Sequence, residues 1–248
     1  MAKTRIEFLT VPLDIVSQAD LGDEFMKIVH SRETSQICFV SIWDILRARS
    51  NPEYLNCLKE AALVLPTSKS IIKGLAFLKY PPVVRYNPFP TIIHLLGELD
   101  KNYASLYLFG GRKQVLLTSE KNLKKTFPHI HVMGRFVGYY PKSMETDIIT
   151  AIKKTSPSLV LLSDGIKGKH LWSYRKKKQF NQGLFLYYKD AFRIFSKRKK
   201  RVSNAVFEKG FEMWYEIIRN PLKVFLIFPY IGYLVILLWY RCFKIHRK

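Results

Sequence analysis

Short apolar runs bounded by Gly, Pro or Ser recur along most of this chain, and they limit its fold more than any other feature. They are Ile37–Ile42 (ICFVSI), Leu63–Pro66 (LVLP), Ser105–Phe109 (SLYLF), Ile130–Met133, Leu159–Leu162 (LVLL) and Leu184–Tyr187. Each is too short and too continuous for an amphipathic helix, so each reads as a buried strand. Helical patterns lie between them. These are Asp44–Arg49 and Pro52–Ala62 with Ser50-Asn51-Pro52 as the break, Ser68 to about Leu78, Thr91–Asp100, Arg112–Thr126 and Glu145–Lys154. Strands alternating with helices predict an α/β fold with a mostly parallel, Rossmann-like sheet and flanking helices. Tyr80–Pro90 holds four of the twelve prolines and reads as an irregular connection.

Beyond Lys197 the pattern changes. Ser196–Arg201 (SKRKKR) is a basic bridge, and Ala205–Ile218 reads as a helix with Val206, Met213, Trp214 and Ile217 on one face. Asn220-Pro221 would stop it. A boundary at 196 divides an α/β body (1–196) from a helical appendage (197–248). Within the appendage, Val224–Tyr240 (VFLIFPYIGYLVILLWY) has seventeen residues without a charge, between Lys223 and a tail with Arg241, Lys244, Arg247 and Lys248. A spanning helix needs roughly 20 apolar residues. Pro229 and Gly232 argue against an uninterrupted helix. Cations at both ends favour the cytoplasmic side for both. A core helix and a single span are the alternatives. The expectation is a segment that lies in the interface or dips into it, holding the protein through 222–243 on the cytoplasmic face of a membrane. Tyr230, Tyr233, Trp239 and Tyr240 suit that depth, having apolar rings and polar tips.

The 248 residues carry 41 Lys and Arg against 19 Asp and Glu, and the imbalance is local. Residues 1–100 balance at eleven of each sign, whereas Lys167–Arg201 has thirteen cations and the single acid Asp190. Such a patch attracts phosphate, on nucleic acid, on a lipid head group or on a sugar nucleotide. No nucleic-acid-binding motif accompanies it, and the adjoining apolar run points to lipid. Cys38, Cys57 and Cys242 are odd in number and lack C-x-x-C spacing, which argues against a disulfide framework and a structural zinc site. The histidines show no metal-ligand spacing, and no apolar core of a secretory signal begins the sequence.

In open parallel sheets ligands bind beyond the carboxyl ends of the strands. Gly110, Gly111, Gly134 and Gly165 stand at or just past such ends and could let backbone N–H groups approach a phosphate, although tight turns need glycine anyway. Carboxylates near strand ends are few. Asp44 suits a helix cap, and Asp164, in the loop after Leu159–Leu162, is the better functional candidate.

The order and spacing of several strings resemble the WecG/TagA/CpsF family of glycosyltransferases over nearly the whole chain. Those strings are Thr10-Val11-Pro12-Leu13-Asp14, Trp43–Arg49 with Asn51–Tyr54, Ala61–Pro66, Leu106–Gly111, Gly134, Gly138-Tyr139, Gly165, Trp172, Lys200-Arg201, Gly210, Glu212 and Asn220-Pro221. The resemblance implies an inverting, metal-independent transfer of an N-acetylmannosamine-like sugar. The donor would be a nucleotide sugar, UDP-linked, acting as substrate and not as a cofactor, and the acceptor a lipid-linked, polyprenyl-diphosphate sugar. Gly110, Gly111, Gly134 and Gly165 would face the donor, and Arg198, Lys200 and Arg201 the diphosphate. Departures from the pattern bear on catalysis. Where the family has the Asp of Pro-Asp-Gly as base, this chain has Thr67, which cannot take a proton as a carboxylate can. Ser41 stands where a Thr-x-Asn would be, and Arg193 where an Asp would follow the last strand. His170 and Asp164 are the groups left to act as base. The alternative is a degenerate member serving as a lipid- or partner-binding scaffold. Self-association is open in either case.

Overall fold

The computed structural model of the chain describes residues 3–210 and 225–243. Six strands form one parallel sheet: β3 (Thr34–Val40), β4 (Leu63–Pro66), β5 (Ser105–Phe109), β6 (His131–Phe136), β7 (Leu159–Leu162) and β8 (Gly183–Tyr187). Their spatial order is β4-β3-β8-β7-β5-β6. Both faces are covered, which explains the unbroken apolar runs. Leu106, Leu108, Leu159, Leu161, Leu184 and Leu186 point to one face. The alternate residues Tyr107, Phe109, Val160, Leu162, Phe185 and Tyr187 point to the other.

On the leucine face lie α1 (Leu21–His30), α5 (Pro88–Lys101), α6 (Lys113–Thr126) and α9 (Ala191–Phe195). Opposite them are α2 (Ile42–Ser50), α3 (Pro52–Lys59), α4 (Lys69–Phe77), α7 (Glu145–Thr155) and α8 (His170–Lys176). Two elements follow the body, α10 (Asn204–Lys209) and α11 (Ile227–Phe243).

Several boundaries differ from expectation for local reasons. β3 stops at Val40, and Ile42 already belongs to α2, because Ser41 caps that helix through Asp44. Pro88 and Pro90 do not extend the irregular stretch. They occupy the first turn of α5, where a missing N–H costs nothing. Gly134 does not end a strand. β6 runs through it to Phe136, and a Cβ at 134 would stand 2.6 Å from the Tyr107 ring on the neighbouring strand. The helix expected over Ala205–Ile218 stops at Gly210 (φ +75°), and Met213, Trp214 and Ile217 lie outside the described residues, as do Asn220-Pro221.

An antiparallel hairpin, β1 (Thr4–Phe8) and β2 (Val11–Ile15), was not legible beforehand. Its turn residues Leu9 and Thr10 both have positive φ (50° and 75°), a conformation ordinarily signalled by Asn-Gly or Asp-Gly. The hairpin is held by Asp14, whose side chain is fully buried. Arg5 donates Nε and Nη2 to its two oxygens, each at 2.8 Å, and the Val64 N–H donates to Oδ2 at 2.7 Å. Thus the edge strand β4 is closed by a carboxylate that reaches its backbone.

From Ile227 to Phe243 the apolar C-terminal segment forms one continuous helix, although Pro229 and Gly232 argued against one. Pro229 falls in the first turn of α11, where backbone N–H groups have no intrahelical partner. Tyr233 and Leu237 are buried against the body. The Tyr233 hydroxyl donates to Ser70 O (2.8 Å), and Arg49 Nη1 donates to the Tyr240 hydroxyl (3.1 Å). Gly74 makes the seat, since a Cβ there would lie 2.4 Å from the Tyr233 hydroxyl. On the far side Phe228, Ile231, Val235, Leu238 and Trp239 are at least half exposed. At 1.5 Å per residue its seventeen residues span about 25 Å. Among the described residues no helix is long and apolar enough to cross a membrane.

His170, at the start of α8, is buried between the rings of Tyr54 (6.3 Å) and Tyr187 (5.1 Å). Burial lowers its pKa to about 4, so it is neutral near pH 7. The unfolded chain takes up a proton below pH 6.5 that the folded chain refuses, so stability is lost as pH falls from 6.5 towards 4.

Two outcomes follow from these buried groups. Replacing Asp14 by Ala is expected to cost about 3 kcal/mol in urea denaturation, because Arg5 and the Val64 N–H lose their shared partner. His170→Phe should flatten the fall in stability between pH 6.5 and 4, seen as thermal midpoints that converge with wild type in acid.

Candidate active site

A parallel sheet delivers every strand's carboxyl end, and the loop after it, to one edge. Two clefts open there. The larger, of about 690 Å³, lies beyond β3, β4 and β8. Ser41, Thr67 and Ser68 form its floor, and Lys69 and Lys73 of α4 with Phe89 of α5 form one wall. Arg201, Val202, Phe207, Lys209, Ile227 and Tyr230 bring α10 and α11 over it. Four cations line this cleft, Lys69, Lys73, Arg201 and Lys209, and among the described lining residues there is no carboxylate and no histidine. Apart from Asn87 its walls are otherwise apolar or hydroxyl-bearing, so it suits a ligand with a compact anionic group and an apolar part.

Two half-buried cations tie α10 across this cleft. Lys69 Nζ donates to Glu208 O (3.0 Å) and Lys209 O (3.3 Å). Arg85 Nε donates to Thr67 O at 2.7 Å, while Nη1 donates to Phe207 O. The Arg85 guanidinium also lies 3.6 Å from the centre of the Phe207 ring. The three carbonyls close α10 at its negative end, where cations are favoured. Desolvation lowers the Arg85 pKa to about 10, which leaves it charged at neutral pH.

Thr67 stands at the floor but its hydroxyl points away from open space, donating to Val40 O at 3.1 Å. Ser41 donates both its backbone N–H (2.9 Å) and its hydroxyl (2.6 Å) to Asp44 Oδ2, and the Tyr54 hydroxyl donates to Oδ1 (2.8 Å). Asp44 therefore caps α2, as its position suggested.

The smaller cleft, of about 290 Å³, lies beyond β5 and β7. The chain leaves β5 for β6 on one side and leaves β7 for β8 on the other, so these strands flank a topological switch point. Arg112, Arg193 and Arg198 face Asp164 and Tyr139 here, and the Tyr139 hydroxyl donates to Asp164 Oδ2 at 3.1 Å. Gly110 and Gly111 pack the loops behind it. Their N–H groups donate to Phe136 O (2.9 Å) and Asp164 O (2.7 Å), and a Cβ on Gly110 would lie 2.9 Å from Ser163 N. Gly165 (φ +85°) lies under the Tyr139 ring. Close loop packing thus uses the hydrogen bonds that sequence reasoning reserved for phosphate. Ser119 Oγ to Phe192 O and Asn122 Nδ2 to Phe195 O, both 2.7 Å, fix α9 on α6 and with it the rim carrying Arg193.

The candidate residues are therefore divided. Ser41, Thr67 and Arg201 meet in the larger cleft, Asp164 and Arg198 in the smaller one. Residues 188–202 run between the two, giving side chains to both. Lys200 is exposed and lines neither, Gly134 is mid-strand on β6, and His170 is enclosed by Tyr54 and Tyr187, away from both. Sequence reasoning missed Lys69, Lys73, Lys209, Arg112 and Tyr139. Lys69 and Lys73 lie one turn apart directly after a strand end, which was a usable signal.

Comparisons with known proteins place the chain in a family. The chain is similar to the N-acetylglucosaminyldiphosphoundecaprenol N-acetyl-beta-D-mannosaminyltransferase of Bacillus spizizenii (strain ATCC 23059 / NRRL B-14472 / W23), with 22% identity over 176 residues, 71% of this chain and 68% of that protein. It is also similar to the protein of the same description from Bacillus subtilis (strain 168), with 21% identity over 199 residues, 80% of this chain and 74% of the relative. Residues 6–247 match the pattern described as the Glycosyl transferase WecG/TagA/CpsF family, and the chain belongs to that family.

Proposed function

We propose that the protein transfers a sugar, N-acetylmannosamine-like, from a UDP-linked donor to a polyprenyl-diphosphate-linked acceptor in cell-envelope polysaccharide synthesis. The observation that carries this reading is the larger cleft: among the described residues, four cations, no lining carboxylate, and an apolar helix at its mouth. A lipid diphosphate needs that combination, with Lys69, Lys73, Arg201 and Lys209 for its charge and Ile227, Tyr230 and Phe207 for its first isoprene units. The donor occupies the smaller cleft, with Arg112, Arg193 and Arg198 near its diphosphate and the loops of Gly110, Gly111 and Gly165 behind. The acceptor hydroxyl attacks the anomeric carbon, the bond to the nucleoside diphosphate breaks, and arginine neutralises the departing charge. The exposed side of α11, with Phe228, Ile231, Leu238 and Trp239, lies in the membrane interface at the cytoplasmic face while Tyr233 and Leu237 hold the helix to the body.

One observation favours a second reading. Thr67 stands where the family carries its acid, and its hydroxyl is committed to Val40 O. A scaffold that binds lipid without turnover would tolerate this.

A single assay separates the two. Full-length protein in detergent, given UDP-N-acetylmannosamine and N-acetylglucosaminyl-diphospho-undecaprenol, is expected to release UDP. Arg201→Ala should slow release about 100-fold. No release, and no nucleotide binding by calorimetry, establishes the scaffold. Co-sedimentation with phosphatidylglycerol vesicles should weaken at least tenfold in an Ile231→Asp, Trp239→Asp double variant, and unchanged binding would remove α11 from the interface.

A further inference from the structure

A transferase of this kind must dispose of the acceptor's proton, and among the described residues the lining of the larger cleft offers no carboxylate or histidine to take it. We propose that Ser41 and Asp44 supply the missing base, Ser41 as the catalytic residue that touches the acceptor hydroxyl and Asp44 as the proton sink acting through it. This inference rests on the transferase reading and adds the identity of its base.

The hydroxyls on the cleft floor are not equivalent. Thr67 directs its proton at Val40 O, and a neutral backbone carbonyl does not take up a proton. Ser68 Oγ accepts from the Ile42 N–H at 3.3 Å. Ser41 is, among the described lining residues, the hydroxyl seen to donate to a carboxylate, at 2.6 Å, a length proper to O–H···O⁻. A helix cap alone does not require that bond. The Ser41 backbone N–H already satisfies Asp44 Oδ2 at 2.9 Å, so the hydroxyl is directed there in addition.

Asp44 is held for the task from every side. The Tyr54 hydroxyl of α3 fixes its other oxygen at 2.8 Å. Arg47 of its own helix lies 4.3 Å from the centre of the Tyr54 ring, and His170 of α8 and Cys38 of β3 are the other titratable groups close enough to sense its charge. His170 is neutral at working pH, so it does not compete as a cation for the carboxylate.

The step balances. As the acceptor oxygen forms its bond to the anomeric carbon, its proton passes to Ser41 Oγ and the Ser41 proton passes to Asp44 Oδ2. The bond from the anomeric carbon to the nucleoside diphosphate breaks, and that group leaves with the electron pair. Asp44 returns the proton to water through Ser41 after the products leave. This places the base on β3 and α2, beside the strand whose end carries Thr67.

The test uses the full-length protein with UDP-N-acetylmannosamine and N-acetylglucosaminyl-diphospho-undecaprenol, measuring UDP release across pH. Ser41→Ala should lower kcat about 10² to 10³-fold with little change in KM, while the backbone N–H keeps its bond to Asp44 and loss of the capping hydroxyl lowers the melting temperature by only about 2–4 °C. Ser41→Thr, which restores a hydroxyl, should recover most of the rate. Asp44→Asn, which can still cap α2, should lower kcat and abolish the acidic limb of the kcat–pH profile. Ser41→Ala with kcat within threefold of wild type, or an unchanged acidic limb in Asp44→Asn, overturns the relay and leaves transfer standing. Wild-type protein that releases no UDP overturns both, so the two failures are distinct.

Discussion

All six strands of the sheet run in one direction, and the rest of the molecule depends on that. Parallel strands need a crossover after each one, so helices cover both faces and the inner strands are buried on both sides, while the edge strand β6 keeps His131, Met133 and Arg135 exposed. The same constraint sends every carboxyl end to one edge, where Ser41, Thr67, Gly110, Asp164 and Tyr188 follow their strands within two residues. The hairpin at the start of the chain completes this frame. Asp14 joins β2 to the edge strand β4, closing a row of backbone groups that would otherwise stay open.

At that edge the charges are sorted. Among the described residues the larger cleft has cations without a lining carboxylate, and the α10 carbonyls are what offsets their attraction for an anion. The smaller cleft sets three arginines around one acid. In the proposed reaction each cleft takes one phosphate-bearing substrate, and the segment from Tyr188 to Val202 stands between the clefts as the wall. In the proposed relay, proton acceptance moves from the strand end of β4, where Thr67 has no acidic group, to that of β3, where a helix cap already brings a carboxylate to a hydroxyl.

The C-terminal helix has two sides with different duties. Tyr233 and Leu237 fill a seat made possible by Gly74, and their burial joins α11 to the β1/β2, α2 and α4 layer. The opposite side keeps large apolar side chains exposed, which a monomeric soluble surface seldom carries in one stripe. A helix docked along the body and apolar on its free side fits a surface that rests in an interface, which is the place the proposed acceptor comes from.

Much was decided by sequence alone, and the reason is that these features are local. Buried strands need continuous apolar runs, so the six strands, the helices α2 to α7 and the parallel class could be read directly, as could the Asp44 cap from a carboxylate at the start of a helix, whereas α1, α8 and α9 were not read. The family resemblance rests on the order of such local strings. What only the tertiary structure decided depends on neighbours distant in the chain. Leu9-Thr10 turns with positive φ because Asp14 and Val64 hold the hairpin in register. Gly134 is required by a ring on β5, not by the end of its own strand. Arg198 and Arg201 are three residues apart in one basic run yet serve different clefts, because the chain between them is a wall. His170, a titratable group beside a strand-end loop, is lost to the core between Tyr54 and Tyr187, and Lys69 with Arg85 is found at the closing turn of α10. No pattern within one segment reports such pairings, since the energy that selects them arises only when separate segments meet.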